Sequence, residues 1–196
     1  MSRSHDITAR GVVVSRAPSG EGSVRVSIFT ESLGLVNVLA KSAREERSKL
    51  RPHLQVGSYG SYTLVRGLYD WRVTGAVDTE NSYFELRGKR YAQTAGARVV
   101  GVVRQLVHGE EKNAELFEAL WFFLYALGTL SEDEVKTAEH LAVVRILSAL
   151  GYVPPQKEVP FVEEVSYTAE VLNAVKPYEK KLVRAINEAL LASNLA

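Results

Sequence analysis

The sequence predicts an α+β protein in which a five-stranded OB-type β-barrel is followed by an α-helical bundle. Two observations support this architecture. Short runs of alternating apolar and polar residues fill roughly the first 80 residues, and the apolar period becomes helical from Asn81 onward. The boundary between the two patterns divides the chain into a barrel domain over residues 1–80 and a helical domain over residues 81–196.

Five segments of the first domain have the composition of strands. The clearest is residues 23–30, where Val24, Val26 and Ile28 alternate with other residues, as in a half-buried strand. The remaining four segments are residues 7–16, 35–40, 55–66 and 71–79, separated by turn-forming residues or by one longer connection. This pattern suits a small barrel of the OB type, and a generic small sandwich or an SH3-like barrel is the alternative.

Four helices are predicted in the second domain, over residues 92–108, 113–127, 132–150 and 177–195. The second is apolar on most sides, which predicts a central place in the bundle. The third begins with Ser131 and Glu134, the spacing of a capping box, and ends at Gly151 with Pro154 and Pro155 just beyond. Pro177 stands at the start of the last helix, a position that proline favours.

The composition excludes several classes of protein. The chain has 196 residues, of which 46% are hydrophobic, 24% are charged and none is cysteine. These proportions are those of a globular protein, and the missing cysteines exclude disulfides and Cys-based zinc sites. Residues 119–130 are the longest mostly apolar stretch, shorter than the roughly 20 residues that span a membrane. With no apolar signal segment at the N-terminus, we expect a cytoplasmic, nucleoid-associated protein without a membrane partner.

No catalytic constellation is visible in the sequence. The four histidines are isolated and lack the spacing of a metal site. The glycines form no phosphate-binding loop, and no serine has the Gly-x-Ser-x-Gly context of a hydrolase nucleophile. We therefore expect a protein that is not an enzyme and that needs neither a cofactor nor a metal.

The net charge of +1 hides an uneven distribution of charge. Residues 1–104 carry 16 Lys and Arg against 9 Asp and Glu, and the remainder carries 8 against 14. The densest segment is residues 41–51, where five of eleven residues are basic in spite of Glu45 and Glu46. A basic region of this kind attracts polyanions, and phosphate contacts dominate nucleic-acid affinity. The candidate DNA contacts are Arg25, Lys41, Arg44, Arg47, Lys49, Arg51, Arg66 and Arg72 in the barrel, with Arg87, Lys89 and Arg90 at the start of the helical domain.

Aromatic residues of the barrel allow two interpretations. Phe29 shares one side of its predicted strand with Arg25 and Ser27, so it either stacks on a base or packs beneath the helical domain, and packing is favoured. The same ambiguity holds for the remaining aromatic residues of the strands, which are Tyr59, Tyr62 and Trp71.

Residues 29–36, 38–44 and 147–154 carry short motifs that resemble those of the RecO family of bacterial recombination mediators. Residues 29–36 and 38–44 are similar to a strand ending in Phe-Thr, a Gly-Leu turn and a Lys-Gly-Ala-Arg run that opens a basic loop. Residues 147–154 are similar to the Leu-Gly-Tyr-x-Pro end of a central helix in the family's second domain. The order of barrel, basic loop and helical bundle extends the resemblance over essentially the whole chain.

The resemblance implies a DNA repair and recombination protein without catalytic turnover. Proteins of this family bind single- and double-stranded DNA, anneal complementary strands and help load the recombinase onto strands coated by single-strand-binding protein (SSB). They work with the partner RecR, and some contact the acidic C-terminal tail of SSB. By position, Lys41 and Arg44 match the Lys and Arg of the loop motif, and His140 and Arg145 are the candidate contacts for the SSB tail.

The chain also departs from the family pattern. Ser42 replaces the Gly of the loop motif, Glu45 and Glu46 dilute the basic loop, and the four-cysteine zinc module of many members is absent or reduced. His140 is a weaker anchor for an acidic tail than an arginine. Two other functions stay open: a protein–protein adaptor with weak or no DNA binding, motivated by the two glutamates, and an RNA-binding OB-fold protein, motivated by the barrel alone.

Overall fold

A computed structural model describes residues 6–193, except residues 69, 82, 83, 85 and 155–158. Pro155 and the predicted end of the last helix at residue 195 lie outside the described residues. The chain forms two compact units. The first comprises Met1–Glu85 and Val103–Asn113, and the second comprises Leu86–Val102 and Ala114–Ala196.

The first unit is a closed, five-stranded barrel, as predicted. Its strands are β1 (Asp6–Ser19), β2 (Ser23–Thr30), β3 (Gly34–Ala40), β4 (Ser58–Arg66) and β5 (Trp71–Asn81). They pair in the order β1-β2-β3-β5-β4, and β4 closes the barrel against β1. Among the strand pairings of the described residues, only that of β3 with β5 is parallel, which gives the OB topology.

Strand β1 continues three residues beyond the predicted end at Arg16, because Pro18 does not interrupt it. Pro18 still lies opposite Val24, and the turn is made by Gly20 and Gly22, which both have positive φ angles. The register shifts between Val13 and Ser15, and a bulge of this kind bends a strand. The bend allows β1 to pair with β4 along its first part and with β2 along its second part.

Alternation along the strands fills the barrel with apolar side chains. Val24, Val26 and Ile28 are fully buried and pack with residues of the other strands. Gly11 lies where a Cβ atom would stand 2.7 Å from Ile28 Cγ2, so the close approach of the strands requires a glycine there. The aromatic side chains that the sequence left ambiguous are all buried, namely Phe29, Tyr59, Tyr62 and Trp71.

The second unit is built from helices: α1 (Arg90–Leu106), α2 (Ala114–Ala126), α3 (Glu132–Ala149), α4 (Ala169–Val175) and α5 (Glu179–Ala192). Helix α3 is the central one, since α2, α4 and α5 all pack against it. The expectation that α2 is central is wrong, because its Phe122 and Tyr125 are exposed. No helix within the described ranges is long and apolar enough to cross a membrane.

Both ends of α3 follow the sequence prediction. At its start, the backbone N–H of Ser131 donates to the Glu134 carboxylate at 2.8 Å. At its end, Gly151 has a φ of 79°, and the N–H of Tyr152 donates to the carbonyl of Leu147 at 2.9 Å. This is the Schellman arrangement that a glycine at this position permits. The seven-residue helix α4 was not predicted.

The division into units changes the meaning of the charge distribution. The first unit contains 13 Lys and Arg against 11 Asp and Glu, a net charge of +2, and the second has a net charge of −1. Dividing the chain after Arg104 gives a larger imbalance because it counts the four cations of residues 86–102 with the barrel and the acidic Glu110 and Glu111 with the helices. Basic character is therefore a local property of particular segments rather than of a whole unit.

A first prediction concerns Ser42, which has a φ of 53°. An L side chain in this left-handed region costs about 1–2 kcal/mol. We expect Ser42→Gly to raise the free energy of unfolding of the barrel by about 0.5 kcal/mol, since the freedom of glycine in the unfolded chain offsets part of the gain. We expect Ser42→Val to lower it by about 1–2 kcal/mol, because a β-branched side chain fits this region poorly.

Urea unfolding measures both variants of Ser42. Trp71 fluorescence reports on the barrel when Trp121 is replaced by Phe, because Trp71 lies in the first unit and Trp121 in the second. Equal stabilities for the glycine and valine substitutions would contradict a left-handed conformation at this position.

Candidate nucleic-acid interface

The outward side chains of β2, β3 and β5 form one continuous surface, here called the outer face: Arg25, Ser27, Asn37, Leu39 and Arg72. Arg25 lies opposite Leu39 in the β2–β3 pairing, and Leu39 lies opposite Arg72 in the β3–β5 pairing. Neighbouring strands are about 4.8 Å apart, so the backbones at Arg25 and Arg72 are about 10 Å apart. In the next row, the Ser27 hydroxyl donates to the side-chain carbonyl oxygen of Asn37 at 2.7 Å.

The connection between β3 and β4 is a structured segment, here called the basic loop (residues 41–55). Ala43 and Leu54 are fully buried and anchor it at both ends. Between them, backbone hydrogen bonds link each turn to the next: Glu45 to Ser42, Ser48 to Glu45, and Arg51 to Ser48 at 3.1–3.3 Å. These hydrogen bonds therefore hold the backbone of the loop in one conformation, and its charged side chains are exposed.

The five cations of the basic loop are exposed: Lys41, Arg44, Arg47, Lys49 and Arg51. Within the part of the chain that the structure describes, none of the five forms an ion pair with a carboxylate. Glu45 and Glu46 are exposed too, and they neutralise none of these cations through a direct pair. The positive charge of the loop is consequently available to an anionic partner.

The basic loop begins beside the outer face. The backbone N–H of Arg44 donates to the carbonyl of Gly22 at 2.8 Å, and its guanidinium reaches the carbonyl of Gly20 at 3.5 Å. Both glycines belong to the β1–β2 hairpin, which leads directly into Arg25. The β4–β5 hairpin reaches the same place, since Asp70 lies 3.7 Å from the Arg25 guanidinium. The loop and the two hairpins thus surround one end of the outer face.

Not every cation of the barrel is equally available. Arg10 is paired with Glu31 at 2.7 Å, and this contact lowers the pKa of the Glu31 carboxyl. Arg66 lies 5.5 Å above the Trp71 ring and 3.9 Å from Glu110, whose carboxylate also accepts a hydrogen bond from the Trp71 indole. Arg66 is therefore held in place but only weakly neutralised, and Arg72 is exposed.

The three remaining candidate DNA contacts belong to the second unit. Arg87 and Arg90 are exposed. Lys89 donates from its ammonium group to the carbonyl of Gly128 at 2.6 Å, so it also joins the start of α1 to the end of α2. A role of these three residues in DNA binding stays a prediction.

Aromatic side chains are missing from the described part of the outer face. In the described part of the first unit, Phe84 is the one exposed aromatic residue, at 69% exposure. Phe29 is fully buried, so it is not available to stack on a base. A nucleic acid on this surface would be held mainly by its phosphates.

Arg145, a candidate contact for an acidic tail, is 6% exposed. Its guanidinium donates to the carbonyls of Phe161, Val162 and Ser166 at 2.6–3.1 Å and lies 4.6 Å above the Tyr167 ring. Arg145 therefore positions residues 161–167. The cavity beside it is lined by four acidic residues, Glu115, Glu118, Glu163 and Glu164.

His140, the other tail candidate, is half-buried on α3, and its Nδ1 atom has no hydrogen-bond partner among the described residues. Burial lowers the pKa of its imidazole. Glu179 and Glu139 oppose this shift, and Lys136 and Arg98 add to it. Folding thus favours the neutral imidazole of His140. The tail-binding role of His140 stays a prediction.

The outer face and basic loop define the class of protein: an OB-type barrel with a cationic surface. Residues 1–75 of the chain match the family model described as "Recombination protein O N terminal". The chain is 29% identical over 162 residues to DNA repair protein RecO of Dehalococcoides mccartyi, which covers 81% of this chain and 61% of that protein. For DNA repair protein RecO of Actinobacillus succinogenes the identity is 34% over 148 residues, which cover 73% and 58%.

A third relative, DNA repair protein RecO of Acetivibrio thermocellus, is 26% identical over 146 residues, which cover 74% of this chain and 57% of that protein. The chain is therefore similar to the RecO family over most of its length, as its loop and helix motifs predicted. It spans 57–61% of the length of these three relatives.

A second prediction follows from His140. Because the pKa of the imidazole is lower in the folded than in the unfolded protein, the unfolded chain takes up the proton first as the pH falls. The free energy of unfolding is therefore expected to decrease as the pH falls below about 6.5, the ordinary pKa of histidine. Urea unfolding between pH 7.5 and pH 5 (about one unit either side of that value) measures the decrease.

His140→Leu should make this pH dependence smaller. The matched control is His108→Leu, at an exposed histidine, which should leave it unchanged. If His140→Leu keeps the full decrease, burial of the neutral imidazole is not its cause.

Proposed function

We propose that this protein acts in DNA repair and recombination as a non-catalytic mediator that binds single- and double-stranded DNA through the basic loop and the outer face. The observation that carries the proposal is the arrangement of the basic loop: five exposed cations on a hydrogen-bonded segment, none paired with a carboxylate in the described chain. Similarity to the RecO family supports the same role, since the matched relatives are named DNA repair proteins.

The exposed cations suit phosphates rather than bases. Lys and Arg side chains neutralise phosphates and release counterions, a source of affinity that does not depend on sequence. Arg25 and Arg66 each have one carboxylate at 3.7–3.9 Å, and exposed pairs of this length are worth little. A phosphate can therefore replace the carboxylate at either arginine. Binding of this kind accepts both single and double strands.

Phosphate-directed binding also supports strand annealing. Two complementary strands repel each other through their phosphates, and a cationic surface reduces this repulsion. Because the described outer face offers no aromatic platform that would hold the bases, the pairing edges of the bound strand stay accessible to a second strand. The protein would thus bring two strands together without reading their sequence, and would help load the recombinase on SSB-coated DNA.

The proposed protein partners are a RecR-like protein and the acidic tail of SSB. The surroundings of Arg145 do not favour an acidic tail, because the guanidinium already binds three carbonyls and four glutamates line the adjoining cavity. A second cleft of the helical unit has a lining that includes Tyr152, Pro154, Lys181, Arg184 and Glu188. Arg184 is paired with Glu188 at 2.8 Å, so the three charged residues leave a net charge of +1. This charge suits an acidic peptide better than the four glutamates beside Arg145 do.

The decisive experiment for the proposed function removes the charge of the basic loop. We expect the triple variant Lys41→Glu, Arg44→Glu and Arg47→Glu to lose most single-strand affinity. A plot of log affinity against log salt concentration has a negative slope, and the loss of three phosphate contacts should make that slope less negative by about 2. Fluorescence anisotropy of a labelled oligonucleotide over a salt series measures both quantities.

The matched control makes the same charge change on the helical unit: Lys176→Glu, Lys180→Glu and Arg184→Glu, at three exposed positions. It should bind DNA nearly as the wild type does. Unchanged affinity of the loop variant, or an equal loss in both variants, would contradict the proposal. Binding of SSB or RecR without DNA binding at low salt would favour the adaptor, and tighter binding of RNA than of DNA would favour the RNA-binding alternative.

A further inference from the structure

The tip of the β4–β5 hairpin exposes an apolar side chain. Leu68 is 93% exposed, more than any other large hydrophobic residue that the structure describes. The backbone N–H of Gly67 donates to the carbonyl of Asp70 at 2.9 Å, so the turn is tight and Leu68 stands at its end. Turns of this kind usually carry polar or small residues. Folding of the barrel does not account for a leucine at this place.

Cations flank the hairpin tip on both strands. Arg66 is the last residue of β4, and its position above the Trp71 ring fixes the guanidinium near the tip. Arg72 follows on β5 as part of the outer face. On the opposite side, Asp70 joins the tip to Arg25 of β2 at 3.7 Å. Leu68 therefore projects beside the surface that is proposed to hold the phosphates.

We propose that Leu68 inserts between unstacked bases of a bound single strand while Arg66 and Arg72 contact the neighbouring phosphates. This inference rests on the proposed DNA binding. Apolar side chains, leucine among them, act as wedges between base steps in other DNA-binding proteins, and the β4–β5 loop of OB barrels contacts oligonucleotides. The described outer face has no exposed aromatic residue, and Leu68, beside it, is the most exposed apolar side chain that could contact a base face.

Insertion of Leu68 makes the affinity of the hairpin for DNA depend on whether the DNA is single- or double-stranded. In a duplex the bases are stacked and paired, so a wedge has to overcome both interactions, whereas a single strand offers unstacked steps. Phosphate contacts alone would treat the two forms more equally. Leu68 should therefore strengthen binding of single strands more than binding of duplexes.

A strand containing 2-aminopurine tests the insertion, because the fluorescence of this base rises when it is unstacked. We expect the wild type to raise the fluorescence on binding at low salt, and Leu68→Ala to bind without the rise. Loss of the apolar contact should weaken single-strand affinity about three- to tenfold. Duplex affinity should change less. Leu68→Met, which keeps an apolar side chain, should restore both the fluorescence and the affinity.

The control variant is Val77→Ala, which shortens an apolar side chain of β5 that is 58% exposed. This variant should leave both the fluorescence and the affinity unchanged. If Leu68→Ala binds DNA with wild-type affinity and a wild-type fluorescence rise, the insertion is refuted while the proposed function stands. If the wild type binds no DNA at low salt, the proposed function fails, and the insertion fails with it.

Discussion

The parallel pairing of β3 with β5 is the constraint on which the rest of the barrel depends. It consists of two residue pairs, Val38 with Trp71 and Leu39 with Arg72, yet the barrel is closed only when this pairing is combined with that of β4 and β1. Closure removes the open strand edges that invite aggregation. It also places β5 between β3 and β4, so the chain cannot join β3 to β4 by a tight hairpin. The basic loop exists because this connection is long, and Arg72 joins Arg25 on the outer face because β5 lies beside β3.

Electrostatics in this protein is decided by pairing more than by total charge. Net charges of +2 and −1 for the two units would not predict a polyanion partner. The difference between cations lies in their neighbours: Arg10 has Glu31 at 2.7 Å, Arg145 binds three carbonyls, and the loop cations have no carboxylate partner in the described chain. A cation without a carboxylate partner can bind an anionic ligand without first losing an ion pair within the protein.

Sequence patterns predicted the features that depend on neighbouring residues. The range of β2 follows from its alternation, and the two ends of α3 follow from Ser131, Glu134 and Gly151. The features that depend on distant residues were not predicted. The burial of Arg145 depends on carbonyls 16 to 21 residues away, and the partnership of Asn37 with Ser27 depends on the register of two strands. The boundary between the units falls inside α1, where the helical pattern is uninterrupted.

The central claim is that DNA lies on the outer face and the basic loop, and amide hydrogen exchange with and without a single-stranded oligonucleotide tests it most directly. At low salt, bound DNA should slow exchange in residues 41–55, in β3 and in the β4–β5 hairpin. The protection should disappear at high salt, because counterions compete for the same cations. Protection confined to residues 114–193, or none in residues 41–55 while DNA is bound, would contradict the claim.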